Sequence, residues 1–384
     1  MSVNRIKEIP GFSIDQVAAA AGNNPEILRL ENLDTDLIPP QSALEATRNA
    51  VGEDDFNSYL PFTGNDILRE LVAQKISRET KKNYQARQTI ITCGGTEGMF
   101  DALLATTDIG DEVVLTDPTY AGMINRVRLA GGKPVLVPFE LDTSSAWRLD
   151  LHRLAEAITP KTRVLFIMNP SMPSGAVLNQ DEWKVICDLC IKYNLWLIYN
   201  AAMERIVYDG KPVIHPASFP GMEERTIIVG SLSKEYCMIG WRVGWVAGPQ
   251  EIMNHIGRVH IYNVVTPTGI TQAGAIEALK TSDEYVRENV AVWESRRNVV
   301  NQQLADYPII SAAGGWSQLL DTGKMGLSAM EASKMLLEKG KIAATAMDHW
   351  GEKNSSQYLR LVFSNEKEER LSELKNRFRQ TFES

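Results

Sequence analysis

One lysine stands among neighbours that could make it reactive. Ser231-Leu-Ser233-Lys234 follows an apolar run, Thr226–Val229, and Arg242 comes eight residues after the lysine. A lysine just beyond a buried strand can sit in a dry pocket, where its pKa falls and its amine becomes a nucleophile toward carbonyls. Two hydroxyls, on Ser231 and Ser233, and the Arg242 guanidinium could hold a phosphate dianion beside the carbonyl so captured. A single lysine in a polar turn is ordinarily a surface residue, and it is the flanking groups that shift this reading.

Four other segments offer matching chemistry. Thr92-Cys-Gly94-Gly95-Thr96-Glu97-Gly98 leaves one apolar run and opens a helical pattern. Glycines there let backbone approach a ligand, and helix N-terminal N–H groups attract phosphate, although many α/β turns look alike. Asp117-Pro-Thr-Tyr120 ends another apolar run, where an aromatic ring can stack on a flat ligand or simply join the core. Tyr59-Leu-Pro61-Phe-Thr-Gly64, with Leu68-Arg-Glu70 after it, reads by itself as a turn before a helix. Tyr358-Leu-Arg360-Leu-Val-Phe363 puts a guanidinium within an apolar strand pattern, where it could grip a carboxylate in bidentate fashion.

These groups need a scaffold that delivers strand ends to one place. Short Val/Ile/Leu-rich runs recur at Thr89–Thr92, Glu112–Thr116, Pro134–Pro138, Arg163–Met168, Leu195–Tyr199, Thr226–Val229 and Val243–Ala247. Helical patterns separate several of them, at Glu97–Thr106, Ala121–Ala130, Leu151–Ala157 and Asp181–Tyr193. This alternation predicts an α/β fold, a mostly parallel sheet with helices on both faces. After about residue 250 the texture changes to an Ala-rich helix at Ile270–Lys280 and a long charged helix at Ser282–Ala305. Residues before Gln41 read as polar and irregular. The expected division is an arm and part of a small domain (1–41), a large domain (42–280) and a C-terminal small domain (281–384).

Bulk properties exclude several classes. The 384 residues are 44% hydrophobic and 23% charged, with a net charge of -8, as in a globular protein that does not seek polyanions. No dense basic run suggests nucleic acid, no apolar run approaches a membrane span, and Met1–Pro10 lacks the apolar core of a signal peptide. The four cysteines do not resemble a disulfide framework, so a reducing cytoplasm is expected. Cys187 and Cys190 form a C-x-x-C within a helical pattern. Without a second pair or a nearby histidine they read as small apolar residues, and no metal site is expected.

Together the motifs resemble the class I/II aminotransferases, fold-type I enzymes of the aspartate aminotransferase superfamily, over nearly the whole chain and in the family's order. The resemblance implies a seven-stranded, mostly parallel sheet sandwiched by helices, with a smaller α+β domain from both chain ends. It implies pyridoxal 5′-phosphate (PLP) as cofactor, with Lys234 forming the internal aldimine and shuttling the proton. Ser231, Ser233 and Arg242 would hold the phosphate together with Gly95, Thr96 and Glu97 of the turn, the latter through backbone N–H groups and the Thr hydroxyl. Tyr120 would stack on the pyridine ring and Arg360 would clamp the substrate α-carboxylate. Tyr59 would reach the cofactor of a neighbouring subunit, implying a homodimer with shared sites. The partners would be an L-amino acid and a 2-oxo acid. Side-chain recognition would fall near Glu31–Pro39 and Tyr262–Thr268, with Asn32 and Tyr262 as candidates. Asp34 and Asp36 could select a basic side chain or merely be solvated.

Three cofactor contacts depart from the family pattern. Asn169-Pro-Ser-Met172-Pro-Ser-Gly175 resembles N-P-x-N-P-T-G, with Met172 where an Asn would bond the ring's phenolic oxygen. Tyr199-Asn200-Ala-Ala-Met203-Glu-Arg resembles D-E-x-Y-E-R, with Asn200 for the Asp that faces the pyridine nitrogen and Met203 for a Tyr. A neutral amide cannot hold that nitrogen protonated, so Asn200 predicts a weaker electron sink. A divergent but active subfamily, a catalytically weakened PLP-binding protein, and a lyase or cyclase on the same scaffold all accommodate these changes. A PLP-binding regulator would need a DNA-binding segment, and no helix-turn-helix pattern fits before Gln41.

Overall fold

The computed structural model describes residues 4–7, 9–11, 13–352 and 355–383. Its centre is a sheet of eight strands, one more than expected: β1 (Thr89–Thr92), β2 (Glu112–Asp117), β3 (Lys133–Leu141), β4 (Trp147–Leu149), β5 (Thr162–Met168), β6 (Trp196–Asn200), β7 (Thr226–Ser231) and β8 (Gly244–Ala247). The spatial order is β1-β8-β7-β6-β5-β2-β3-β4. Neighbours pair in parallel from β3 to β7, whereas β8 runs against both β7 and β1. The additional strand is β4, which turns back antiparallel on the edge of β3, with Trp147 and Leu149 buried. Three residues carry too little alternation to register as a strand in the sequence; pairing to β3 defines it.

The inner strands are apolar on both faces because helices cover both. Val113, Leu115, Phe166, Ile198 and Ile227 belong to one buried cluster, and Val114, Leu165, Ile167, Leu197 and Ile228 to another. Alternate residues of one strand thus enter different layers, which follows from the two-residue side-chain period.

The described residues before Gln41 are not wholly irregular. They form helices at Asn4–Lys7 and Ser13–Ala21 and a short strand at Leu28–Arg29. That strand pairs in parallel with Ile342–Ala343, and Ala21 and Ile27 pack on Ala343. The partner surface lies more than three hundred residues away, so local polarity gave no sign of it. A second sheet, built on Ser317–Asp321 and Tyr358–Val362, encloses its own core with Trp293, Trp316, Leu336 and Phe378. The helix Asp283–Gln303 runs alongside both cores, and its Arg296 and Arg297 are buried. Arg296 binds Asp36 of the N-terminal arm at 2.7 Å, and Arg297 binds Asp209 at 2.7 Å. No helix among the described residues is long and apolar enough to cross a membrane.

Candidate active site

The C-terminal ends of the parallel strands meet the N-terminal arm around a cavity of about 250 Å³. Open α/β sheets bind ligands at this edge, where strand ends and helix N-termini converge. Lys234 lies on the turn after β7, and its side chain enters the cavity. Its Nζ donates to the Leu33 carbonyl at 2.8 Å and sits 4.5 Å from the centre of the Trp316 ring. Burial pushes the lysine pKa from the usual 10.5 to about 7, with Arg360 and Arg242 pushing the same way and Asp34 opposing them. The amine is thereby available without its proton near neutrality.

The anion cup is built from three turns. Ser231 ends β7, its Oγ lies 2.8 Å from the Ser233 Oγ, and it accepts from the Ser233 N–H at 3.1 Å. Arg242 is held by donation to the Ile239 carbonyl at 2.9 Å. Gly95 and Thr96 open the helix Gly95–Thr106, so their N–H groups lie at its positive end. Gly94 turns into that helix with φ 77°, and a Cβ there would sit 2.7 Å from the Arg242 Nη2. A Cβ on Gly244 would sit 2.6 Å from the Gly95 nitrogen. The missing side chains are what let guanidinium, serines and helix end close on one point. Glu97 directs its carboxylate away from the cavity, accepting from the Cys93 N–H at 2.5 Å and pairing with His260 Nδ1 at 2.7 Å.

Opposite the cup, Arg360 is wholly buried in the strand Tyr358–Val362. It donates to the Glu31 carbonyl and lies 4.9 Å from the Trp350 ring centre, while its Nε and Nη1 find no protein acceptor. Burial lowers its pKa to about 10. A buried guanidinium with free donors is costly unless an anion arrives. The two idle N–H directions suit a carboxylate. Tyr120 stands edge-on to Trp350, their ring centres 6.1 Å apart, and faces the same cavity. Asn32 also lines it.

The atypical residues divide. Met172 lines the cavity, as does Asn200 at the end of β6. Met203 does not. The chain turns after Asn200, with the Ile206 N–H on the Met203 carbonyl, and the thioether joins the second core near Ile206 and Trp316. The adjacent Ala202 takes the wall position. The two methionines therefore do not share one wall: Met172 lines the cavity and Met203 packs in the second core. Tyr59 and Tyr262 are 83% and 91% exposed and lie outside the cavity of this chain. Asp36 is held by Arg296 and Asp34 accepts from the Thr35 N–H, so neither lines the wall. Cys187 and Cys190 are buried and free; burial raises the Cys187 thiol to about 12 and also raises that of Cys190. They are inert packing groups.

Sequence reasoning missed Ile14, Leu33, Met99, Met168 and Ile239 on the wall and Trp316 beside the lysine. Gly314-Gly315-Trp316 was the one visible hint, a tight turn before a large aromatic.

The family described as aminotransferase class I and II matches residues 28–378. An aspartate aminotransferase of Rhizobium meliloti is 28% identical over 364 residues, covering 91% of this chain and 87% of the relative. A probable aspartate/prephenate aminotransferase of Aquifex aeolicus is 30% identical, with 99% and 94% covered. The structure of N-succinyldiaminopimelate aminotransferase from Mycobacterium tuberculosis superposes with a TM-score of 0.93 at 27% identity, covering 98% of this chain and 99% of that one.

The depressed lysine gives a first prediction. In the cofactor-free protein, reductive methylation of Lys234 by a small aldehyde, followed by peptide mass mapping, reaches half its maximal rate near pH 7. A midpoint near the usual 10.5 would contradict the dry-pocket account.

Proposed function

The chain belongs to the class I and II aminotransferases and is an aminotransferase, and from that premise we propose that it works with PLP held by Lys234, on amino acids with uncharged side chains. One observation carries this reading: Lys234, Arg242 and Arg360 converge on one cavity with no Asp or Glu among the described residues of its wall. Such a cavity calls for a phosphate and a carboxylate on either side of an amine. The fit is supported by the two idle N–H groups of Arg360 and by the Gly94–Gly244 approach that closes the cup. It is not the reading of a lyase, a cyclase or an impaired binder, since the relatives named above are aminotransferases.

When bound, PLP supplies an aldehyde that condenses with amines and a conjugated ring that draws electrons from the substrate's Cα. The chain supplies the rest. Ser231, Ser233, Arg242 and the Gly95–Thr96 helix end would hold the cofactor's phosphate, and Tyr120, on the same cavity, would pack against the cofactor. Arg360 would bind the α-carboxylate through its Nε and Nη1 and so orient the substrate toward Lys234. Lys234 Nζ, neutral when free, takes the α-proton and returns it. Leu33 and Trp316 hold the amine near that path and exclude water. Ile14, Leu33, Met168, Met172 and Ile239 leave an apolar space for the substrate side chain, with Asn32 at its rim.

Tyr59 is assigned to the neighbouring subunit's cup in a homodimer. Support comes from the exposure of Val51, Tyr59, Phe62, Ile67, Tyr262 and Val265 on adjoining segments, tied together by the Thr266 bond to the Pro61 carbonyl. Single exposed apolar residues are ordinary, but a contiguous group marks an interface. The division at 1–41, 42–280 and 281–384 has partial support from the two cores: the second draws mainly on Leu28, Leu30 and residues 293–378, but it also takes in Met203, Ile206, Tyr208 and Cys237, while Val286, Trp350 and Tyr358 pack in the first. A cytoplasmic location is supported by four free cysteines.

Borohydride reduction of the holoprotein fixes the cofactor on the peptide containing Lys234, and amino acids with apolar side chains convert the cofactor to its amine form. Release of ammonia without that conversion, or equal rates with aspartate and arginine, would overturn the reaction or the side-chain assignment respectively. Arg360→Lys keeps the charge but loses the fork; kcat/KM for amino acids falls roughly 10²-fold, about 3 kcal/mol, with cofactor retention unchanged. An unchanged kcat/KM removes Arg360 from substrate binding. Finally, mixing the separately inactive Tyr59→Ala and Lys234→Ala proteins under subunit exchange restores part of the activity. No recovery argues against shared sites.

A further inference from the structure

We propose that Asn200 keeps the ring nitrogen of the bound cofactor unprotonated by donating a hydrogen bond to it, an inference that rests on the PLP reading above.

Asn200 is buried at the end of β6, and its amide is fixed from both sides. Oδ1 accepts from the Ala202 N–H at 3.1 Å, and Nδ2 lies 3.3 Å from the Met99 sulfur. Turning the amide over would set its NH₂ against the Ala202 N–H, two donors face to face. The orientation is therefore set by backbone that the turn after β6 holds in place. Nδ2 carries two hydrogens, and one is enough for the thioether. Both Asn200 and Met99 line the cavity, and the second N–H, taken up by no described protein acceptor, is left to meet a ligand there.

Met99 shows that the position is matched to an amide. A thioether sulfur accepts weakly and cannot donate. With Asp at 200, an anionic oxygen would meet the sulfur lone pairs at a similar distance, with no donor in return. An amide meets the same sulfur favourably. Asn200 and Met99, one hundred and one residues apart, thus form a compatible pair rather than a lone substitution.

Charge points the same way. The cavity wall carries Lys234, Arg242 and Arg360 and no carboxylate. A protonated ring nitrogen at Asn200 would add a buried cation with no carboxylate among the described residues of the wall to pair with it, since the phosphate and the substrate carboxylate are taken up by Arg242 and Arg360, and burial disfavours such a cation. An unprotonated nitrogen is an acceptor and meets the Asn200 donor. The ring then draws less electron density from the substrate's Cα, so removal of the α-proton depends more on the placement of Lys234 and Arg360.

The test is ¹⁵N NMR of the holoprotein reconstituted with PLP labelled at the ring nitrogen. The wild-type signal is expected far downfield, where unprotonated pyridines resonate, and unmoved across the neutral pH range. Asn200→Asp moves it upfield toward the pyridinium position. Asn200→Ala, which removes the donor without adding charge, moves it further downfield. An upfield pyridinium signal in the wild type overturns the inference, and so does a signal that neither variant shifts. Borohydride trapping on the same sample keeps the two readings apart. Loss of the Lys234 adduct overturns the cofactor reading itself, whereas an intact adduct with a pyridinium signal overturns only the role of Asn200.

Discussion

Three basic side chains, Arg360 buried, Lys234 half-buried and Arg242 at the exposed rim, share one cavity with no acid among the described residues of its wall, and the surrounding structure is arranged to make that tolerable. Each cation is accommodated differently. Lys234 gives up its proton, so its amine needs only the Leu33 carbonyl and the Trp316 face. Arg242 leans on the Ile239 carbonyl at the cavity's edge. Arg360 cannot lose its proton near neutrality, so it keeps the Glu31 carbonyl and the Trp350 ring and leaves two donors idle. Idle buried donors cost stability in the free protein. A bound carboxylate would recover that cost, which is the physical ground for the substrate-binding role proposed for Arg360.

The acids that might have neutralised the cavity are turned elsewhere. Glu235, the residue after Lys234, points to the opposite side, 2.6 Å from Arg205 and 3.8 Å from Lys75. Glu204 joins that group at 3.3 Å from Lys75. Glu97 faces His260, whose pKa the two neighbouring carboxylates raise, against burial, to about 9. Asp36 is taken up by Arg296. Buried charges on both sides of the strand ends are therefore paired within their own sets. The cavity is left cationic, and Asn200 fits that balance as a neutral group where a carboxylate would change it.

The parts legible in the sequence share one property: they are local. Ser231, Ser233, Lys234 and Arg242 lie on one strand and its following turns, and Gly94, Gly95 and Thr96 on one turn into one helix. Strand periodicity and turn chemistry operate over a few residues, so spacing was enough to put them at strand ends, while their roles were implied by the resemblance to the family. The failures were non-local. The strand Leu28–Arg29 exists because Ile342–Ala343 offers an edge, and β4 exists because β3 does. Met203 has the motif's spacing but is claimed by a core formed largely from the C-terminal third of the chain.

The sequence by itself determined the fold class and set Lys234, the Gly94–Thr96 turn and Arg360 on strands and their turns, because each lies in a short run whose backbone geometry follows from residue type, and the family resemblance supplied the roles proposed for them. Only the tertiary structure decided what surrounds them. Leu33, Met99 and Trp316 reach the site from segments far apart in the chain, and their contacts depend on how strands and the N-terminal arm are stacked. The meaning of Asn200 belongs to that second group. Its identity was visible at once, but the direction of its amide is set by Ala202 and Met99, and direction decides whether it offers a donor or an acceptor.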